Sequence, residues 1–212
     1  MKSIISNNIS GIENLSNEGI LNALFSTPEH SIDCINWSEY PYAPKVSFHI
    51  AHSERALVVM FKVVEDHVRA VTLESNGPVW EDSCVELFVG NPKEEGYFNF
   101  EMNCVGTMLA AKRKYKTDAN HFGTELMSQI RNFGSLEHKA IDSKGENQSW
   151  WRVEIIPFSL LGLDSAPERL KANLYKCGDK CAQPHFLSWS EIGLPTPNFH
   201  CPDYFGEIIL SK

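Results

Sequence analysis

The chain has 212 residues, of which 42 % are apolar and 22 % are charged, and its formal net charge is -8 at pH 7. This composition is typical of a folded globular protein and excludes an extended disordered chain. The acidic excess disfavours nucleic acid and membrane surfaces as partners, because phosphate backbones and anionic lipids would repel the protein.

Residues 1–45 mix turn-forming and aromatic residues without a sustained hydrophobic period. We expect an irregular N-terminal lead-in that packs on the rest of the protein. The opening MKSIISNNISGIENL lacks the long apolar stretch of a signal peptide, and no apolar run approaches the roughly 20 residues that span a bilayer. The sequence as given therefore predicts a cytoplasmic protein, or a secreted or periplasmic one if a leader has already been removed.

From Val46 onward, short runs rich in Val, Ile, Phe and Tyr alternate with Gly, Pro, Asn or charged residues, a pattern typical of strands and hairpins. The predicted strands cover residues 46–51, 56–65, 68–73, 84–90, 97–103, 105–114, 125–133, 149–156, 169–176, 185–189 and 205–210. One helical turn is predicted at PFSLLGL, from Pro157 to Gly162. The fold class is therefore all-β, a jelly-roll-like antiparallel β-sandwich, with residues 46–212 forming one domain.

Alternation along two adjacent strands places polar side chains on one sheet face. In YFNFEMN the polar set includes Asn99, Glu101 and Asn103, and the simplest hairpin registers put Glu86 opposite Asn99 or Glu101. In the Glu101 register, the two opposed carboxylates require a shared proton, a bound cation or a basic neighbour such as Arg152. The alternative is a solvated polar face that binds nothing.

Three tryptophans differ in their sequence surroundings. Trp80 lies in the turn-rich segment SNGPVWEDS and Trp189 in HFLSWSEI, so both are expected to be partly exposed. Trp151 alternates with Val153 and Ile155 and is predicted to lie in the core. Exposed indoles beside carboxylates and amides form a plausible saccharide site, because sugars stack C–H faces on aromatic rings and bond through hydroxyl groups.

The motifs VWEDSCVELFV, YFNFEMNCVGT, ANLYKCGD, LSWSEI and FHCPDYFGEIIL occur in this order between Pro44 and Leu210. Together they resemble the family 9 carbohydrate-binding modules. The resemblance implies a β-sandwich that binds oligosaccharide or polysaccharide without catalysis, in the service of carbohydrate catabolism. It also implies a separate glycoside hydrolase as a candidate partner and calcium as a candidate cofactor, although no calcium ligand can be assigned from the sequence.

The matching motifs also imply roles for individual residues. Trp80 and Trp189 would stack on the sugar, and Glu86 would be the principal hydroxyl acceptor. Asp82 and Asn103 are secondary candidates within matching motifs, whereas Asn99 and Glu101 depend on strand alternation alone. The closing motif residues His200, Pro202, Phe205 and Gly206 are interpreted as a turn and strand start that support the fold.

Other functions remain open at this point. A glycoside hydrolase would use Glu86 with Glu101 or Asp82 as its acid and base. A protein-interaction module would use an exposed aromatic surface. Haem binding through Met and His would be a remote alternative, since no motif assigns the ligands.

The six cysteines are expected to be reduced, small and buried. One alternative is a metal site that combines Cys177, Cys181, His185 and Cys201, although its spacing departs from the common zinc patterns.

Overall fold

The structure, a computed structural model, describes residues 2–212, which contain fourteen β-strands and two α-helices. The strands are β1 (Ser3–Asn8), β2 (Glu29–Ser31), β3 (Cys34–Ile35), β4 (Lys45–His52), β5 (Ala56–Ala70), β6 (Cys84–Gly90), β7 (Tyr97–Asn103), β8 (Met108–Arg113), β9 (Asn120–His121), β10 (Arg131–Gly134), β11 (Ile141–Pro157), β12 (Arg169–Cys177), β13 (Phe186–Ser188) and β14 (Gly206–Leu210). The helices are α1 (Asn17–Phe25) and α2 (Thr124–Met127), and neither helix of residues 2–212 is long and apolar enough to cross a membrane.

The strands form one curled sheet that folds into two facing halves. The back sheet has the order β10-β11-β5-β4, and the front sheet has the order β14-β12-β6-β7-β8-β9. Strand β1 connects them, because residues 3–6 pair in parallel with β14 and residues 7–8 pair in parallel with β4. Apart from β1, the pairs within the two halves are antiparallel, which agrees with the predicted antiparallel sandwich.

The main hydrophobic core lies between the two sheets. The back sheet contributes residues such as Phe61 and Trp150, and the front sheet contributes residues such as Leu87 and Phe100, all of them buried. Each such side chain stabilises the fold by roughly 1.5–3 kcal/mol through removal of apolar surface from water. Two smaller clusters cover the outer faces of the sheets, so both sheets are buried over much of both sides.

The N-terminal segment is more regular than the sequence predicts. Strand β1 is short and rich in Ser and Asn, so it lacks a strand pattern, and its conformation is fixed by partners on both sides. Helix α1 begins after Ser16, whose side chain accepts a hydrogen bond from the backbone N–H of Gly19 at 3.1 Å. Its buried residues Ile20 and Leu24 pack on the outer face of the back sheet. The structure thus adds a strand and a helix to the predicted irregular lead-in.

Three local features differ from the prediction, and one is confirmed. The runs predicted as separate strands at 56–65 and 68–73 belong largely to β5, because its pairing with β11 resumes after a register shift opposite the polar residues between them. Residues 125–133 form helix α2 and part of β10 instead of one strand. Trp151 is only partly buried, whereas the neighbouring Trp150 points into the main core. The predicted helical turn is confirmed at Phe158–Leu161, where Gly162 ends it with φ 71°.

Candidate functional site

Glu86 and Glu101 are direct partners on β6 and β7, on the outer face of the front sheet. Tyr175 on β12 lies on the other side of Glu86 in the same row. This is one of the two registers that strand alternation predicts. All residues of both hairpin strands are buried, so this polar face is not simply solvated.

A covering segment, residues 190–205, buries part of this outer face and leaves a pocket beside it. Phe199 of the segment stacks on Tyr175 with ring centroids 4.1 Å apart and an angle of 6° between the planes. Ile192 and Phe205 belong to the same buried aromatic cluster. Because this cluster fixes the covering segment on the sheet, the remaining opening is a preformed concave site of the kind that binds small ligands.

The pocket has a volume of about 300 Å³. Its walls combine aromatic rings with charged groups of both signs. The lining residues are Trp80, Glu86, Glu101, Arg113, Lys116, Cys177, Asp179, Phe186, Pro197, Asn198, Phe199 and His200. Of the predicted site residues, the structure therefore brings Trp80, Glu86 and Glu101 together around one cavity.

The two carboxyl groups at the floor of the pocket are only partly satisfied. Oε1 of Glu86 accepts a hydrogen bond from Sγ of Cys177 at 3.1 Å, and Oε1 of Glu101 accepts one from Nδ2 of Asn99 at 2.9 Å. Within residues 2–212, the Oε2 atom of each glutamate is buried without a hydrogen-bond partner. Burial and the nearby Glu101 charge hold the pKa of Glu86 well above its usual range, and burial raises the pKa of Glu101 to about 7. The pair therefore binds a proton near neutral pH.

Arg113 is the basic neighbour of this pair, on the third strand of the same face. Its Nε donates to Oδ1 of Asn99 at 2.9 Å, and its charge favours ionisation of Glu101. The prediction of Arg152 in this role is wrong, because Arg152 lies on β11 of the back sheet and donates to the backbone carbonyl of Leu136 at 3.2 Å. Asn99 itself is fully buried and holds Glu101 and Arg113 rather than opening on the cavity.

Asp82 and Asn103 form buried hydrogen bonds that link neighbouring loops, and they are not part of the pocket wall. Asp82 accepts hydrogen bonds from the backbone N–H groups of Val71 and Thr72 at 3.0–3.2 Å and from the Arg69 guanidinium. Nδ2 of Asn103 donates to Asp82 at 3.0 Å. Both side chains are completely buried, and these contacts use their polar atoms, so the structure contradicts their prediction as ligand contacts.

The two predicted stacking tryptophans have opposite environments. Trp80 follows Pro78 in a short 3₁₀ turn and is 37 % exposed at the pocket. Trp189 is fully buried in the main core, where its ring packs edge-on against Phe48 with centroids 6.3 Å apart. Gly206 lies directly against the Trp189 ring, which seals that side. The prediction of Trp189 as a stacking platform is therefore wrong for this structure.

Several pocket residues were absent from the prediction. Strand alternation carried one strand further would have found Arg113, because it shares a face with Asn99 and Glu101 across β7 and β8. Lys116, Asp179 and Asn198 lie on loops or strand ends and carry no periodic signal. Burial raises the pKa of Asp179 to about 6.

His200 supports the fold, as predicted, and also lines the pocket. Its Nδ1 lies 2.8 Å from the Tyr97 hydroxyl. Burial lowers the pKa of His200 to about 3, so the ring is neutral at physiological pH.

The predicted metal alternative is not assembled as a unit. Nε2 of His185 is 2.8 Å from the Lys176 ammonium, and its Nδ1 is 2.8 Å from the Gln183 carbonyl, so both ring nitrogens have partners. All six cysteines are free thiols in the structure; five are buried and Cys34 is partly exposed. Within residues 2–212, the group of His, Cys, Asp and Glu side chains spaced for a metal ion is Cys84, Glu86 and Cys177, in which Glu86 would supply the single oxygen donor. Calcium prefers oxygen ligands, so it stays a prediction without an assigned ligand set.

Comparison of the sequence with protein-family profiles identifies the family of this chain. The profile of carbohydrate-binding family 9 matches residues 21–210, which is most of the chain. The chain belongs to carbohydrate-binding family 9. This family 9 domain also has the β-sandwich architecture of solved members of the family. No curated protein sequence matches it significantly.

Three solved structures show how widely the architecture is shared. A candidate carbohydrate-binding protein from Bacteroides uniformis ATCC 8492 is 36 % identical, with 99 % of each chain covered and a TM-score of 0.94. A family 9 carbohydrate-binding module from Caldicellulosiruptor kristjanssonii in complex with glucose is 12 % identical, with 99 % of this chain and 96 % of that chain covered and a TM-score of 0.65. A family 9 carbohydrate-binding module from the same organism in complex with cellotriose is 12 % identical, with 99 % of this chain and 93 % of that chain covered and a TM-score of 0.66.

Proposed function

We propose that this family 9 domain binds a saccharide without transforming it, in the pocket beside Trp80, and that binding serves carbohydrate catabolism. The expected ligand is an oligosaccharide or the end of a polysaccharide, and the expected partner is a separate glycoside hydrolase. One observation carries the proposal. A partly exposed indole and two buried carboxyl oxygens without partners among residues 2–212 belong to residues of the same pocket.

The aromatic wall supplies the stacking surface for the sugar. The C–H face of a pyranose packs favourably on an aromatic ring, and the Trp80 indole is accessible for this contact. Phe186 and Phe199 line the same pocket, and the stacking of Phe199 on Tyr175 holds its ring in place. We therefore assign the second aromatic surface to these phenylalanines instead of to Trp189.

The carboxyl groups supply the hydroxyl acceptors. A buried polar atom without a hydrogen bond destabilises a protein by about 1–3 kcal/mol, and a ligand that satisfies it recovers part of this free energy. The Oε2 atoms of Glu86 and Glu101 lack partners within the described part of the chain, residues 2–212, and they would accept hydrogen bonds from sugar hydroxyls. Arg113 and Lys116 would donate to sugar oxygens from the same pocket.

The pocket volume limits the ligand. At about 300 Å³, the cavity lies at the lower end of the range of about 300–1,000 Å³ for small-molecule sites. It suits a short saccharide, or the terminal unit of a longer chain, better than a long internal stretch. So few contacts correspond to dissociation constants between about 1 µM and 1 mM, or roughly -8 to -4 kcal/mol.

The arrangement of acids favours binding over hydrolysis. A glycoside hydrolase places two carboxyl groups on opposite sides of the scissile bond, about 5–10 Å apart. Glu86 and Glu101 instead lie side by side on the same sheet face, so they would contact a bound sugar from one side. Asp82, the other candidate acid, is fully buried, and its carboxylate accepts hydrogen bonds from the protein itself.

A protein-interaction module is the second candidate function, because the exposed Trp80 ring could contact another protein as well as a sugar. The experiment must distinguish these two functions.

Isothermal titration with glucose, cellobiose, cellotriose and xylobiose tests the proposal, with Trp80→Ala as the site variant. The matched control is Phe25→Ala, which removes another exposed aromatic ring from helix α1 on the back sheet. We expect saturable heat from at least one sugar, a loss of at least about tenfold in affinity in Trp80→Ala, and no change in Phe25→Ala.

Product analysis of the same mixtures should show no cleavage. Absence of heat with every sugar would contradict saccharide binding and favour the interaction module. Turnover by purified protein that Glu86→Gln abolishes would contradict the noncatalytic function.

A further inference from the structure

Cys84, Glu86 and Cys177 meet on the outer face of the front sheet. Cys84 and Cys177 are direct partners across β6 and β12, and Glu86 follows Cys84 by two residues on the same face. Their three ligand atoms, one Sγ from each cysteine and one carboxylate oxygen, all lie within 4.8 Å of one another. We call these three residues the thiol-carboxylate cluster.

The spacing of the cluster fits a tetrahedral cation. Zinc–sulfur bonds of about 2.3 Å and zinc–oxygen bonds of about 2.1 Å place two tetrahedral sulfurs about 3.8 Å apart, and a sulfur and an oxygen about 3.6 Å apart. Sγ of Cys177 lies 3.1 Å from Oε1 of Glu86, and the longest separation in the cluster does not exceed 4.8 Å. Movements of about 1 Å or less would therefore complete the geometry.

We propose that the thiol-carboxylate cluster binds one zinc-type divalent cation through Cys84 Sγ, Cys177 Sγ and a carboxylate oxygen of Glu86. Two sulfur donors and one oxygen select a borderline-soft ion over calcium or magnesium, which prefer oxygen ligands. As the metal–ligand bonds form, the two thiol protons and the proton that the Glu86–Glu101 pair holds near neutral pH leave to solvent, and no electron is transferred. Binding therefore needs neither an oxidant nor a reductant.

The surroundings of the cluster give the ion a reason to bind and a path of entry. All three side chains are buried, and Oε2 of Glu86 is one of the buried oxygens that have no partner within residues 2–212. Glu86 and Cys177 line the pocket, so a cation would enter from the open side. Three protein ligands with the fourth side facing a cavity leave room for one water molecule.

Titration of the reduced protein with Co²⁺ and Zn²⁺ under anaerobic conditions tests the proposal. Thiolate–Co²⁺ charge-transfer and visible bands should appear, saturate at one ion per chain, and disappear when Zn²⁺ is added. Cys84→Ser and Cys177→Ser should each lose the charge-transfer intensity and bind Zn²⁺ at least about tenfold more weakly, since even changes to outer-shell partners weaken metal sites by 10–100-fold.

Cys34→Ser is the matched control, because Cys34 is a partly exposed free thiol outside the cluster, and it should retain both bands and affinity. Circular dichroism melting identifies variants that fail to fold. For these, alkylation of the wild type replaces mutagenesis: Zn²⁺ should protect Cys84 and Cys177 from alkylation under partial denaturation, with Cys34 unprotected. Three results would overturn the proposal. The first is a wild type with neither Co²⁺ bands nor protection from alkylation. The others are bands that survive in folded Cys84→Ser, and a Cys84–Cys177 disulfide that persists under the reducing conditions of the titration.

Failure of sugar binding would leave this result unaffected, because the metal titration contains no sugar.

Discussion

Glu154 on β11 should make the free energy of unfolding depend on pH, and the substitution Glu154→Gln should remove this contribution. It shares its strand face with Trp150 and Ile156, which belong to the main core, and it is buried. Its Oε1 has no hydrogen-bond partner in the part of the chain that the structure describes, residues 2–212. Burial raises the pKa of Glu154 from an ordinary value of 4.5 to about 8. The carboxyl group is therefore largely protonated in the folded protein at neutral pH.

The sign of the effect follows from proton linkage. The folded state binds this proton more tightly than the unfolded state, so its stabilising contribution is complete below about pH 4.5 and is lost as pH rises to about 8. At 1.36 kcal/mol per pH unit, the full loss is about 5 kcal/mol. Glu154→Gln cannot ionise, so its stability relative to the wild type should increase by about that amount between pH 4.5 and pH 9.

Urea unfolding of both proteins at half-unit pH steps measures this difference. Other acids with raised pKa values contribute equally to both proteins and cancel in the comparison. Glu146→Gln is the matched control for the loss of one acidic side chain, because Glu146 is exposed in the same strand. A difference between Glu154→Gln and the wild type that stays flat with pH within 1 kcal/mol would refute the assigned burial of Glu154.

Three further substitutions test the structural roles of Trp189, Asp82 and Gly206. Trp189→Ala should lower the free energy of unfolding by about 3–5 kcal/mol in urea titrations, because it opens a cavity in the core, and folded protein should retain any sugar affinity. Asp82→Ala leaves the Arg69 guanidinium without its buried carboxylate and should lower the free energy of unfolding by about 3–5 kcal/mol in the same assay. An unchanged urea midpoint would contradict the structural role assigned to Asp82. Gly206→Ala puts a Cβ about 2.6 Å from both the Trp189 ring and the backbone oxygen of Lys2, so calorimetry should show a lower Tm, corresponding to about 1–3 kcal/mol.

Strand alternation predicted the centre of the site because it is a local property of the sequence. The alternating polar residues of YFNFEMN and the short connection to CVELFV predict Glu86 opposite either Asn99 or Glu101, and the structure has the Glu101 register. The same pattern does not distinguish a buried residue that lines the pocket from a buried residue whose polar atoms bond to neighbouring side chains and loops. Asn99, Glu101 and Asn103 share one face, yet of these three only Glu101 lines the pocket. Asn99 is hydrogen-bonded to Glu101 and to Arg113 of the neighbouring strand, and Asn103 is hydrogen-bonded to Asp82.

Features that depend on contacts distant in sequence were not predictable in this way. Trp189 is flanked by polar residues, and its burial results from packing against Phe48 and Gly206. Strand β1 has a polar sequence and becomes a strand only between two partners from elsewhere in the chain. The basic neighbour of the carboxyl pair was assigned to β11, whereas the third strand of the same sheet supplies Arg113. In each case the deciding interaction lies outside the local sequence window.

The position of β1 has a consequence for the order in which the chain folds. Ser3 pairs with Glu207 and Asn8 with His52, so the strand that joins the two sheets needs partners from both β14 and β4. During synthesis, the residues of β1 emerge long before their partners in β14, so this parallel pairing cannot form until β14 has been made. Contacts of such long sequence separation slow folding, because loop closure precedes the stabilising contacts. Closure of the sandwich is therefore a late event, and until it occurs β14 and the end of β4 at Ala51–His52 expose unpaired edges to neighbouring chains.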